Sequence, residues 1–233
     1  MGNKLSNQKN HHRDNSLKPY IHTITNPEYL DWKKGLTPSE ITKISKLQEN
    51  LPVEVMPYLY LGSNKEARDL PLLSNLRITH IYNVTSSNSH NDDIDYGSIM
   101  KVHDPAEDEE EYAMLPRHLQ KFLSFIVNAR RENGQAKILV HCTAGLNRSG
   151  VLAAAVLMLT EAVPVLEAVR KLRLARGNMV LCNQGFCTQL VELAVEHEFL
   201  GDKPAIDIDE VEMQQETVKQ LVKLKSGLDK MAK

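Results

Sequence analysis

Residues 136–162, AKILVHCTAGLNRSGVLAAAVLMLTEA, set two apolar runs on either side of a short loop. The first, AKILVH, reads as a strand without polar alternation, so both its faces are buried, as in a sheet covered by helices on each side. The second, from Arg148 to about Ala162, is apolar nearly all round and belongs in the centre of a domain as a helix. A buried strand that turns directly into a buried helix is the unit from which open α/β sheets are built.

The remaining segments alternate around this unit. VEVMPYLYLG (53–62) is β-rich and reads as one or two edge strands closed by Gly62. Ser63 to Glu66 is a capping box that opens a helix through about Leu73. ITHIYNV (78–84) is a buried strand, 86–97 a polar loop, and SIMKVHD (98–104) a strand ending at Asp104. An acidic run follows, then a long helix that carries Leu119, Phe122, Phe125 and Ile126 inward. Pro164 opens another helix, ended by Gly177, and Asn183 caps a last one to about Leu200. This pattern predicts one α/β domain over 52–200, with a mainly parallel central sheet flanked by helices. Residues 1–36, rich in Asn, His, Ser and Lys, read as a flexible arm. TPSE (37–40) is a second capping box and starts an accessory helix over 37–51. In 201–233, Val211, Val218, Leu221, Val222, Leu224 and Leu228 lie at roughly helical spacing. That is an amphipathic tail helix, which either docks back on the domain or pairs with a partner.

A formal net charge of −2 over 233 residues gives no reason to expect nucleic acid or broad membrane attraction. Cys142, Cys182 and Cys187 are an odd, sparse set, unlike a secreted disulfide framework. No pair of CxxC units offers a zinc site, and His11–His12 reads as solvated, so no metal or cofactor is expected. MGNKLS fits the pattern for myristoylation of Gly2 after methionine removal. One acyl chain holds a membrane only marginally, and Lys4, Lys9, Arg13 and Lys18 add a thin basic supplement. The expected location is the cytoplasm, with reversible membrane attachment.

The loop at 142–148 carries the chemistry. A strand running into a helix delivers unpaired N–H groups and the positive dipole end of the helix, which together suit an anion. A cysteine at the mouth of such a site meets the same field and forms a thiolate more easily. Arg148 offers a planar fork matching two phosphoryl oxygens. Gly145 permits the backbone reversal in mid-loop. The combination is a phosphate cradle with a nucleophile at its floor.

With those residues in view, VHCTAGLNRSG resembles the signature loop of the cysteine-dependent, dual-specificity protein phosphatases. The likeness extends over about 52–200: MPYLYLGSNKEARD and ITHIYNV resemble the family's opening strands and first helix, NQGFCTQL its closing helix. The resemblance implies the cysteine-dependent phosphatase fold, and hydrolysis of phosphotyrosine and phosphoserine/phosphothreonine in protein substrates. Carried over by residue, Cys142 attacks phosphorus and forms a phosphocysteine. The N–H groups of Thr143, Ala144, Gly145, Leu146, Asn147 and Arg148, with the Arg148 side chain, hold the equatorial oxygens. Ser149 eases the departure of sulfur, and His141 orients the loop from behind. No metal or cofactor is implied. The family's general acid is an aspartate after the strand that precedes the long helix. Asp104, closing KVHD, fits that strand position and is favoured; Asp108 better fits the spacing to FLSFI.

Two departures bear on substrate. Asn147 stands where the family usually has Ser, and GLNRSG is closer to the RNA 5′-triphosphatases of the same fold, although those carry His where Ala144 sits. Cys182 replaces a common proline before Asn183, as a buried thiol rather than a redox partner for Cys142. The alternatives are therefore an RNA 5′-triphosphatase or phosphatase, and a phosphate-reading binding module. The first predicts a basic cleft, whereas an acidic run lies beside the acid loop; the second would have lost Cys142 or Arg148, and both are present.

Overall fold

The computed structural model describes residues 16–30, 33, 35–48, 51–87 and 94–206. The chain divides into two compact units, one of residues 1–20 with 203–233, the other of residues 21–202. Gly2 with most of its basic supplement, and the tail segment from 207 onward, lie outside the described residues.

Five strands form one sheet in the order β1-β2-β5-β3-β4, with β1 (Val53–Met56), β2 (Leu59–Gly62), β3 (His80–Asn83), β4 (Met100–His103) and β5 (Ile138–His141). Only the β1–β2 pairing is antiparallel; β5 lies parallel to both β2 and β3. Register aligns Gly62, His141, Asn83 and His103 at one end of the sheet. The segments leaving those residues therefore gather along the carboxyl edge, where open α/β sheets bind their ligands. Ser63, Cys142 and Asp104 are the next residues out from three of these strands.

All four residues of β5 are buried, as the unbroken apolar run requires. On one face Tyr60, Ile81 and Leu139 pack with Ala67 and Leu73 of α3 (Asn64–Ala67) and α4 (Leu70–Leu76). On the other face Tyr82 meets Phe122 and Phe125 of α5 (Met114–Glu132). The central helix α6 (Arg148–Glu161) packs against α5, α7 (Val165–Arg176) and α8 (Gln184–Glu196). Every residue of α6 from Arg148 to Met158 is buried, which accounts for its apolar circumference.

Two expectations are corrected. The helix expected from Ser63 to Leu73 is two helices. Ser63 and Glu66 do form the capping box of α3, but Asp69 accepts from the Leu72 N–H at 3.0 Å and starts α4 anew. Pro71 lacks the N–H that a continuous helix would bond back to Ala67, so the chain breaks and recaps there. Residues 16–29 also depart from the reading of 1–36 as a flexible arm: α1 runs over 16–25, and a 3₁₀ turn covers Pro27–Tyr29. Ile21, Thr23 and Ile24 are buried, and the guanidinium of Arg173, on α7, donates to the Ile24 carbonyl. The polar composition concealed an apolar pair, Ile21 and Ile24, spaced to share one helix face. The accessory helix α2 (Pro38–Gln48) is capped as TPSE predicts: Thr37 N–H donates to Glu40 at 2.8 Å, and the Glu40 N–H to Thr37 Oγ1 at 3.3 Å.

Candidate active site

The loop between β5 and α6 is held from outside by its carbonyls. Thr143 O accepts from the Asn64 N–H (3.1 Å) and Leu146 O from the Leu181 N–H (3.3 Å), while Asn147 O takes the first helical bond of α6, from the Val151 N–H (2.8 Å). Ala144 O accepts from the guanidinium of Arg176 at 3.0 Å. In a trans peptide the N–H points opposite to the C=O of the same plane. The N–H groups of Ala144, Gly145, Asn147 and Arg148 are thereby turned to the other side, into the bowl of the loop. One finds a partner there: the Gly145 N–H donates to Cys142 Sγ at 3.2 Å. The Ser149 hydroxyl donates to the same sulfur, also at 3.2 Å. Cys142 is 1% exposed, at the floor of this bowl.

Gly145 has φ +68°, and a Cβ on it would lie 2.4 Å from the carbonyl oxygen of Gly62. Both the left-handed backbone and the close approach to β2 demand glycine. Behind the loop, His141 is buried, and burial pushes its imidazole down to about 4, so the ring is neutral at pH 7. Its Nδ1 lies 3.3 Å from the Cys142 carbonyl; a carbonyl only accepts, so Nδ1 carries the hydrogen.

Arg148 is buried at the loop's far end, its fork donating to Ala106 O at 3.1 Å and to Thr143 Oγ1 at 3.0 Å. Its Nε lies 3.7 Å from Asp108 Oδ2. Asp108 also receives the side-chain amides of Asn183 (3.1 Å) and Asn147 (3.5 Å). Asp108 is therefore the carboxylate that meets the loop.

Asp104, the aspartate favoured from the strand pattern, has a different setting. It accepts from Tyr82 Oη at 2.7 Å, His118 Nδ1 at 2.6 Å and Lys121 Nζ at 2.8 Å. Burial works to raise its carboxyl, but the hydrogen bonds from Lys121, His118 and Tyr82 outweigh it and hold the group below the ordinary aspartate value. Burial and the neighbouring Asp104 charge push the Tyr82 phenol well up. Asp104, the acid expected from the strand pattern, is thus bound to side chains of β3 and α5, whereas Asp108 is the carboxylate bonded to Asn147 of the loop.

The acidic segment is fastened along its length. Gln189 Oε1 accepts from the Leu115 N–H at 2.9 Å, and its amide donates to Tyr112 O at 2.8 Å. At Gly185, in the first turn of α8, a Cβ would lie 1.7 Å from the Glu110 carbonyl oxygen. Only a residue without a side chain lets the segment pack this closely.

The two other cysteines stand apart from this chemistry. Burial pushes the Cys187 thiol up to about 12 and raises that of half-buried Cys182, which donates to Met179 O at 3.3 Å. Sequence reasoning missed Arg176 and the second role of Asn183. Arg176 lies in the last turn of α7, with nothing local to tie it to a loop more than two dozen residues earlier. Asn183 was legible as a helix cap, but its amide nitrogen had no visible partner.

The geometry matches a known group of catalytic domains. The family model described as dual specificity phosphatase, catalytic domain, matches residues 59–196. Dual specificity protein phosphatase 5 of Rattus norvegicus is 37% identical over 155 residues, covering 66% of this chain and 38% of that protein. Dual specificity protein phosphatase 26 of Homo sapiens is 35% identical over 147 residues, covering 60% of this chain and 65% of that protein. Among solved structures, the crystal structure of DUSP15 superposes with a TM-score of 0.53 at 27% identity, over 62% of this chain and 93% of that one. The match thus spans about two fifths of the rat protein's length and just under two thirds of the human one's. The chain belongs to the dual specificity phosphatase family, with the α/β fold of that family's catalytic domain.

Proposed function

We propose that this protein hydrolyses phosphotyrosine and phosphoserine/phosphothreonine in protein substrates through a phosphocysteine intermediate on Cys142. The observation that carries the reading is the setting of Cys142 Sγ, which receives hydrogen bonds from Gly145 and Ser149 beneath inward-facing loop amides. Negative charge on sulfur, and then on the transferred phosphoryl group, meets donors already aimed at it.

In the first step the thiolate attacks phosphorus: the S–P bond forms, the P–O ester bond breaks, and Asp108 protonates the departing oxygen. Arg148 and the amides of residues 143–148 take the equatorial oxygens. In the second, the Asp108 carboxylate accepts a proton from water as the water oxygen attacks phosphorus. The S–P bond breaks, inorganic phosphate leaves, and sulfur departs as a thiolate into the hydrogen bonds from Ser149 and Gly145. The cradle residues Thr143, Ala144, Leu146 and Asn147 add no formal charge, which suits a single phosphoryl group. Exposed Glu107, Glu109, Glu110 and Glu111 beside the acid oppose an RNA substrate.

The purified protein is expected to release phosphate from both phosphotyrosine and phosphothreonine peptides. On the phosphothreonine peptide, whose alkoxide leaves poorly, Asp108→Asn should lose roughly 10²-fold or more in rate. Asp104→Asn should act mainly on melting temperature. If Asp104→Asn alone is crippled in rate, the two assignments must be exchanged.

We extend the proposal to Gly2, read as a myristoylation site giving a cytoplasmic protein reversible membrane contact, supported by MGNKLS alone. Intact mass of protein made in a eukaryotic host should include the acyl chain; an unmodified Gly2 removes this extension.

A further inference from the structure

We infer that Asn147 and Asn183 form a two-amide clamp that positions the Asp108 carboxylate over the loop for proton transfer. The inference rests on Asp108 being the acid. An asparagine side chain has an acceptor end and a donor end of nearly equal shape, and its partners decide which way it faces. Both are decided here by backbone N–H groups, which can only donate. Asn147 Oδ1 accepts from the N–H groups of Cys182 at 3.1 Å and Asn183 at 3.3 Å, so its amide nitrogen turns to Asp108 Oδ2, at 3.5 Å. Asn183 Oδ1 caps α8 by accepting from the Phe186 N–H at 3.1 Å, so its amide nitrogen turns to Asp108 Oδ1, at 3.1 Å. Each carboxylate oxygen thus faces one NH₂ group, and each NH₂ is aimed by a different element.

The clamp also joins the loop to the start of α8, because Asn147 holds the backbone of Asn183 as well as Asp108. A serine at 147, with its hydroxyl one atom past Cβ, could not reach in both directions. The contrast with Asp104 is chemical. There the donors include the Lys121 ammonium, which favours a permanent carboxylate. At Asp108 the two amides are neutral, and the Arg148 guanidinium stands farther off, its Nε 3.7 Å from Oδ2 against 2.8 Å for Lys121 Nζ at Asp104. The amides fix the plane of the carboxyl group, the alignment that proton transfer to a substrate oxygen needs.

The test separates orientation of the acid from support of the fold. Asn183→Ser keeps a hydroxyl to cap α8 but has no NH₂ for Asp108. Asn147→Asp keeps an acceptor for the N–H groups of 182 and 183 but replaces the NH₂ by an oxygen that repels Asp108, and it leaves the α8 cap untouched. Both are assayed, with Asp108→Asn, on aryl phosphates of graded leaving-group pKa and on an alkyl phosphate. The alkyl-to-aryl rate ratio should fall by about tenfold in each asparagine variant, since a misaligned acid matters most where the leaving oxygen most needs its proton. A merely structural role would depress the whole series evenly. An even loss, or an unchanged ratio, in variants that fold overturns the clamp. If Asp108→Asn lowers the ratio and the asparagine variants do not, only the clamp falls. If Asp108→Asn itself leaves the ratio unchanged, the acid assignment falls and the clamp with it. Should Asn183→Ser fail to fold, Asn147→Asp decides alone.

Discussion

Cys142→Ser should abolish turnover of an aryl phosphate while leaving the bowl able to hold an oxyanion. The hydroxyl is nearly isosteric with the thiol and still within reach of the Gly145 N–H and Ser149 Oγ, each 3.2 Å from the sulfur. What disappears is the nucleophile: a serine hydroxyl stays protonated, and Ser149 is a donor to it rather than a base. Loss on the order of 10⁵-fold or more is expected, comparable with removal of the nucleophile from other covalent hydrolases. Inorganic phosphate or vanadate should still protect the variant against thermal unfolding, because the loop amides and Arg148 are intact. Turnover persisting in the purified variant would remove the covalent mechanism.

Gly145→Ala should also damage the enzyme, less severely and through geometry alone. At φ +68° alanine carries a backbone penalty of about 1–2 kcal/mol. Its Cβ would also sit 2.4 Å from the Gly62 carbonyl oxygen, in a strand held to β5 by the ladder that aligns Gly62 with His141. The sheet cannot yield cheaply, so the loop must, and the hydrogen bond from the Gly145 N–H to sulfur is the first to break. A displacement of that kind costs on the order of 10²-fold in rate. The measurement is kcat on an aryl phosphate together with melting temperature. A variant that melts several degrees lower yet turns over at the wild-type rate would show that this amide does not support the reaction.

The parts of this molecule that were legible in the sequence are those written in short stretches. AKILVH followed by an all-round apolar helix gave away the central strand, the central helix and the bowl between them. Capping pairs at Thr37–Glu40 and Ser63–Glu66 appear as expected. The different settings of the two aspartates were not legible, because linear distance from β4 favours Asp104 and nothing nearby betrays its neighbours. Those neighbours, His118 and Lys121, are more than a turn inside α5, and Tyr82 is on β3. Asp108 is bonded by Asn147, just ahead of α6, and by Asn183, just ahead of α8, both distant from it in sequence. The break between α3 and α4 was readable in principle, since Asp69 and Pro71 spell a new cap; two weak signals were overridden by one strong capping box. Arg176 is the hardest case: its partner is a carbonyl, and a carbonyl has no signature in sequence.

Arg173 and Arg176 stand three residues apart on α7, facing two places that the chain order keeps far apart. One guanidinium grips the Ile24 carbonyl, the other the Ala144 carbonyl whose peptide plane aims an amide at the nucleophile. The body that shapes the phosphate cradle therefore begins at Ile21, well upstream of the stretch by which relatives are recognised, 59–196. Trimming the chain to that stretch would strip a brace from the very helix that carries both arginines.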